Sequence, residues 1–560
     1  MLRSVSIAAL LALLVQGGTA VAAPADVGAM LSDGGSVYGN YLAGRAAMQR
    51  GDSGLAARYL AAAAAADPDD AGVRERAFLA ALMSGDVSHA ATLVPTGEEG
   101  PAGVRSLGQM TWAVEALAGG HGPQADAAFK DTTVAFPHTM GGTLLKPWLA
   151  AAAGDWDRAL AEPQTDRLTQ LFSQLGRARL LEAHGRKKEA EAAYQQLAGD
   201  TAGASLFRIH YGEFLERAGR RNEAIAVYDV GLAETPSDGS LQRARARAIK
   251  RGRPPAPLTL KQGAAEALWM TAAALTAERQ MELGLAYLRL SLRLDPEMDE
   301  AKMMVGDAMS AVDDEEAARG AWATVKAGSP HYVDARSRLA WSFQAAGESE
   351  TAVSLARETV AATPGDTTSE LALADVLRAA GHEQESVGVL DRLAKRTNPD
   401  WRVFYMRGVV LERLGRWDDA QVDLKHALDL RPDDPELLNY LGYSWIDRGV
   451  RVQEGMALIE KAVAQRPTSG AIQDSLAWGH YRLGEYPKAV ELLERAVVLE
   501  PGDPAVNDHL GDAYWRVGRK REAGFQWKRV LTLNPDPTLR AAAEGKIEKG
   551  IDGEPAAAAK

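Results

Sequence analysis

Ten histidines, 75 acidic residues and no cysteine are the raw material from which this 560-residue chain could build a reactive centre. The histidines are scattered along the chain. No two stand at i, i+4 and no His-Glu-x-x-His occurs, so the spacing that puts two zinc ligands and a general base on one helix face is missing. No glycine-rich loop ends in Gly-Lys-Ser/Thr and no Gly-x-Ser-x-Gly elbow is present, which removes the usual phosphate cradle and nucleophile turn. The glycines of Gly34-Gly35-Ser36 and Gly119-Gly120-His121-Gly122 read as turns. Without cysteine there is no thiol nucleophile, no thiolate zinc site, no disulfide and no lipid-modified N-terminal cysteine. The acidic pairs Asp418-Asp419 and Asp433-Asp434 fall where helices begin, and carboxylates there favour the helix dipole. The sequence therefore predicts a protein that is not an enzyme and needs no metal or cofactor.

The residues that remain suit recognition. Four short series at i, i+4, i+7 spacing combine aromatic, acidic and amide side chains: Tyr405, Val409 and Glu412; Asn439, Tyr443 and Ile446; Asp474, Trp478 and Tyr481; Asp508, Asp512 and Trp515. That spacing places each series on one helix face. Arg482 and Arg516 stand beside it, and six of the twelve tryptophans follow residue 400. An aromatic and charged stripe of this kind fits an extended peptide or a partner helix. The same side chains could instead pack between repeats, which is the reading for Trp417 and Trp527. A second candidate surface is basic: Arg243, Arg245, Arg247, Lys250, Arg251 and Arg253 lie within eleven residues of a chain whose net charge is −12. It could face anionic lipid or an acidic partner, or be a solvated helix. The overall acidity argues against nucleic acid as a partner.

A ladder of small residues shows which elements must carry these stripes. It runs Ala56, Ala90, Ala125, Ala159, Ala190 and Ala224, then after a gap of 60 resumes at Gly284, Ala318, Ala352, Ser386, Ala420, Gly455, Ala489 and Ala523. Most steps are 34 residues. Five residues before the small residue, eleven units carry glycine, from Gly51 to Gly518, suited to close a first helix in the left-handed conformation. Twelve residues after it, ten units carry proline, from Pro68 to Pro535, where a second helix must end. Four residues after it, bulky residues such as Phe129, Tyr228, Trp322, Leu424 and Trp527 should fill the space between helices. The expected fold is all-α: an α-solenoid of about fourteen helix pairs, stacked into a superhelix with a concave face.

The organisation follows from the interruptions. Arg3, the apolar run Ile7 to Val15 and the Ala20-Val21-Ala22 cleavage site read as a signal peptide over 1–22. Residues 23–238 form a first subarray of six units, the ones around Ala90 and Ala159 being weakened by Pro95 and Pro163. Residues 239–264, with Arg253-Pro254-Pro255-Ala256-Pro257, form a linker or degenerate unit. Residues 265–537 form a second subarray of eight units, and 538–560 a capping helix and a disordered tail. No transmembrane segment is expected, because no later stretch has 18 uninterrupted apolar residues.

With its period near 34 and its Leu-Gly-x-x-Tyr, Ala, aromatic and Pro positions, the chain resembles the tetratricopeptide repeats. The resemblance spans roughly residues 37–537 and is strongest from Trp401. Tetratricopeptide modules that clamp a chaperone's C-terminal carboxylate need cations where this chain has Ala471 and Ser475, so that specialisation is not expected. Leu438 to Trp445, Asp474 to Trp478 and His509 to Arg519 look like long proteobacterial envelope repeat proteins. Those include lipoprotein adaptors that bind a carboxy-terminal processing protease. The resemblance implies a periplasmic scaffold whose concave surface holds protein partners, with possible presentation of substrates to such a protease. The alternative is a structural component of an outer-membrane or polysaccharide-export assembly. Cleavage near Ala22 would place the protein in the periplasm, without the cysteine that anchors the lipoprotein type.

Overall fold

The computed structural model describes residues 36–94, 101–162, 166–199, 204–236 and 238–552. The expected leader, Pro95, Pro163 and the alanine-rich tail lie outside the described residues. The described residues form thirty helices and no strand. Fourteen hairpin pairs account for twenty-eight of them, and Gly239–Ile249 and Pro537–Lys549 are the other two.

The small-residue ladder explains why the pairs form. All fourteen of its residues are buried. In six units, at Gly44, Gly212, Gly306, Gly408, Gly442 and Gly511, the bulky residue one turn after the small one fills the gap left by that glycine on the first helix. A Cβ on Gly511 would stand 2.4 Å from Trp527 Nε1, and one on Gly408 would stand 2.8 Å from Leu424 Cγ. Close approach at one level and a large side chain at the next produce an interdigitated core.

The turns obey the same register. The eleven glycines expected to be left-handed have φ between 73° and 97°. The ladder units at Gly284 and Ala318 lack that glycine, and Arg279 and Asp313 take positive φ in its place, 63° each. The one long step in the second series, 35 residues into Gly455, has two left-handed residues in its turn, Gly449 and Arg451. Asp side chains cap many helix starts. Asp434 accepts from Glu436 N and Leu437 N at 3.1 and 3.3 Å, and Asp536 from Thr538 N and Leu539 N at 2.8 and 3.0 Å. The weakened units are short where expected, with second helices of six residues, Val87–Thr92, and four, Trp156–Ala159.

The chain divides into two compact units, one ending at Val325 and the other starting at Lys326. The linker expected at 239–264 falls inside the first. Gly239–Ile249 is a helix capped by Asp238, and it packs on Arg221–Glu234. After the prolines the chain does not extend the stack. Leu260–Ala277 returns to lie against Thr139–Ala152 and Arg167–Ala183, and Met281–Leu294 lies against Ala71–Ser84 and Ala102–Ala118. The return is cut to fit: a Cβ on Gly263 would be 2.1 Å from the Trp148 ring, and one on Gly141 would be 2.4 Å from Tyr287. Polar contacts tie it down. Arg293 pairs with Glu115 at 2.7 Å, Arg289 donates to Met83 O at 3.1 Å, and Lys261 donates to Ala118 O at 2.7 Å.

The second unit is a regular stack from Tyr332–Ala345 to Pro537–Lys549. Its first helices touch the first helices of neighbouring pairs, for example Pro435–Asp447 with Gly470–Arg482, and its second helices make no comparable approach. The first-helix side is therefore the inner side of this stack.

Candidate partner-binding site

The inner side carries the stripe residues, and the structure sorts them into an open part and a closed part. In the open part, Trp478 is half-buried between two rings. Tyr481 of its own helix is stacked on it at 4.6 Å and 7°, and His509 of the next repeat at 4.1 Å and 18°. Trp478 Nε1 donates to Asp447 Oδ1 at 3.3 Å. His509 Nδ1 lies 2.9 Å from both oxygens of Asp474, which is buried. Burial alone would push the His509 pKa down; Asp474, together with the nearby Asp508 and Asp512, outweighs it and raises the imidazole to about 9. His509 is thus a cation on the face of Trp478, and a desolvated cation–π contact is worth about 2 kcal/mol.

Further along the same side, Tyr405 and Tyr440 meet edge to face at 5.5 Å. Tyr440 Oη donates to Glu412 Oε2 at 2.7 Å, and Arg448 reaches the other oxygen of Glu412 at 3.1 Å. Tyr443 is half-buried and packs on the same core cluster as Trp478. One helical turn before it, the side-chain oxygen of Asn439 is buried without a hydrogen-bond partner. An unmet buried acceptor costs about 1–3 kcal/mol.

Asp508, Asp512 and Trp515 were expected on this open stripe and are not. The chain's own C-terminal helix covers them. Lys546 Nζ donates to Asp508 Oδ2 at 2.6 Å and to Asp512 Oδ2 at 2.8 Å. Trp515 Nε1 donates to Asp552 Oδ1 at 2.7 Å, Gly550 lies against its ring, and Ile551 is buried. Trp527 Nε1 takes the other oxygen of Asp512 at 3.0 Å. Burial, with the neighbouring Asp508, holds the Asp512 pKa up at about 6 against the pull of Lys546. The physical reason is length: the last repeat has no successor, and its apolar and acidic face is closed by the helix that follows Pro537.

The basic patch is likewise smaller than its sequence. Arg247 pairs with Glu216 at 2.6 Å, and Arg245 pairs with Asp229. Arg243, Lys250, Arg251 and Arg253 are exposed. His509, Lys546 and Tyr440 are the site residues that sequence reasoning passed over. His509 follows the aligned Asp508 by one position, and only the repeat-to-repeat packing brings it to Asp474. Among the described residues no three His, Asp or Glu side chains are grouped to hold a metal ion.

Helix pairs of this geometry, stacked with their first helices inward, define a repeat scaffold without a catalytic motif. A tetratricopeptide-repeat family model matches residues 175–239, 371–423, 405–470 and 475–536, and these stretches are tetratricopeptide repeats. A TPR repeat-containing protein of Pseudomonas aeruginosa is 34% identical over 95 residues; the match covers 17% of this chain and 16% of that protein. The chain thus aligns with less than two thirds of that relative's length. Among solved structures, MamA of Desulfovibrio magneticus is 21% identical over 29% of this chain and 92% of its own, with a TM-score of 0.27. The APC/C hetero-tetramer Cut9-Hcn1 is 12% identical over 92% of this chain and 96% of its own, with a TM-score of 0.37.

Proposed function

We propose that the protein is a periplasmic adaptor that holds an extended segment or helix of a protein partner on the inner face of its second unit, between Tyr405 and Tyr481. The observation that carries this reading is the pair of half-buried rings on neighbouring first helices, Tyr443 and Trp478, packed on one core cluster. The two rings would take apolar side chains of the partner. The export leader, read from residues 1–22, supports the periplasmic location. The C-terminal sequence resemblance supports a processing protease, with its substrates, as the partner.

A cross-linked pull-down of the tagged full chain from the cell envelope, beside the Tyr443→Ala/Trp478→Ala double variant, tests the reading. Partners lost in the variant with helicity kept, a protease among them, support it. Partners unchanged by the variant overturn the assigned face, and export-machinery partners in their place turn the reading to a structural component of an envelope assembly. Fractionation of the tagged protein into the cytoplasm would overturn the location.

A further inference from the structure

The return of the chain in the first unit creates a cavity that a regular stack does not have. It measures about 440 Å³ and lies between Arg167–Ala183, Ala204–Arg217, Leu260–Ala277 and the Pro255-Ala256-Pro257-Leu258 segment. That volume is within the range of small-ligand sites, about 300–1,000 Å³.

Its lining is unequal in charge. Six carboxylates, those of Glu182, Glu213, Glu266, Asp295, Glu297 and Glu300, face two guanidinium groups, Arg179 and Arg217. Both guanidinium groups are committed to the wall. Arg179 pairs with Glu266, and Arg217 binds Glu182 through two hydrogen bonds at 2.7 and 2.9 Å. Glu213 has only a long ion contact, 3.6 Å, to Arg247, a residue outside the lining. Burial pushes the Glu213 carboxyl above its usual range, against the pull of Arg247, Arg217 and Arg179.

Two more wall residues narrow the ligand. Trp269 supplies an aromatic wall. His210 accepts from Arg179 through Nδ1 at 3.2 Å, because a guanidinium can only donate. Burial, then the arginines, hold this ring neutral, so the proton sits on Nε2, which has no partner among the described residues. The site therefore offers a carboxylate for a cation, a ring for its stem and an N–H for a carbonyl.

We infer that this cavity binds a basic amino-acid residue, an arginine or lysine with its own carbonyl, presented either in a peptide or as a free derivative. Glu213 takes the cationic head, Trp269 the stem, and His210 Nε2 donates to the carbonyl. This surface is independent of the inner face of the second unit.

Isothermal titration of the full chain with Nα-acetyl-arginine amide, a Gly-Arg-Gly peptide and the citrulline analogue of each tests the inference. Expected is saturable binding of at least one arginine probe, a loss of tenfold or more with its citrulline analogue and in Glu213→Gln, and unchanged binding in the Tyr443→Ala/Trp478→Ala variant. Binding of the peptide alone identifies a peptide source; binding of both identifies a free cation as sufficient. His210→Phe keeps a ring in place without the donor, and a weakened affinity in that variant covers the case in which Glu213→Gln does not fold. Absence of binding by both arginine probes, or equal binding of the citrulline analogues, overturns the inference.

Discussion

His509 is a position where one proton reaches beyond its own side chain. Its folded pKa of about 9 lies above the ordinary value of 6.5 because Asp474, with Asp508 and Asp512, overcomes the cost of burial. A group raised in the folded state lends stability that is complete below the unfolded pKa and lost as pH rises through the folded one. Asp512, raised to about 6 from 3.8, has the same sign at lower pH. We therefore expect the melting temperature of the second unit to fall between pH 6.5 and 9, and His509→Gln to flatten that slope. A melting temperature independent of pH over this window in the parent chain would contradict the assignment. Lys546 is the partner whose removal should cost most. It stands between Asp508 and Asp512, with side-chain exposure of only 13%. Lys546→Met should cost about 3–5 kcal/mol by leaving two buried carboxylates unpaired. Chemical denaturation of that variant, and its recovery in Lys546→Met/Asp508→Asn/Asp512→Asn, would measure the effect.

At the scale of the element, the repeat is specified by what each position must tolerate. Gly484 has φ of 79° at the end of Gly470–Arg482, with nothing near the place a Cβ would occupy. Space is therefore not the constraint there. Gly484→Val should destabilise through backbone strain alone, by about 1–2 kcal/mol, seen as a lower melting temperature with unchanged helicity at 25 °C. Gly511 is the opposite case: it is helical, and the Trp527 ring occupies its missing side chain. Both glycines were legible from spacing, because the period repeats them and local geometry suffices to explain them. The assignment of Asp508, Asp512 and Trp515 to an open face failed for a different reason. Periodicity says which face a residue occupies, but the occupant of the last face is a non-repeating helix, and its docking depends on where Lys546 and Ile551 fall in three dimensions.

At the scale of each unit, the first is a stack that turns back on itself. Leu260–Ala277 is anchored where Gly263 admits the Trp148 ring. Gly263→Val should therefore loosen the return, at a cost of at least about 1–3 kcal/mol for overpacking. The expected signature is new proteolytic cleavage within 250–259, together with loss of any ligand held by the cavity beside it. Resistance equal to that of the parent chain would show that the return does not depend on this contact. The inner face of the second unit makes a separate prediction. Removing Tyr443 and Trp478 should lower partner affinity about 30-fold or more if they are the anchors of the contact.

The amino-acid sequence by itself determined the fourteen helix pairs, their register, their turn residues and the lack of catalytic motifs. Each of these is a local property, repeated often enough to stand above chance. Small and large residues spaced within one hairpin, and glycines where φ must be positive, need no knowledge of distant neighbours. Tertiary structure alone decided three things: that the chain reverses after residue 259 and packs on its own early repeats, that the C-terminal helix closes the last repeat, and that His509 rather than solvent faces Asp474. Each depends on contacts across 34 to more than 100 residues of chain, such as Lys546 with Asp512 and Arg293 with Glu115. No short-range pattern encodes such pairs, because their energies arise only once separate helices have buried the groups together.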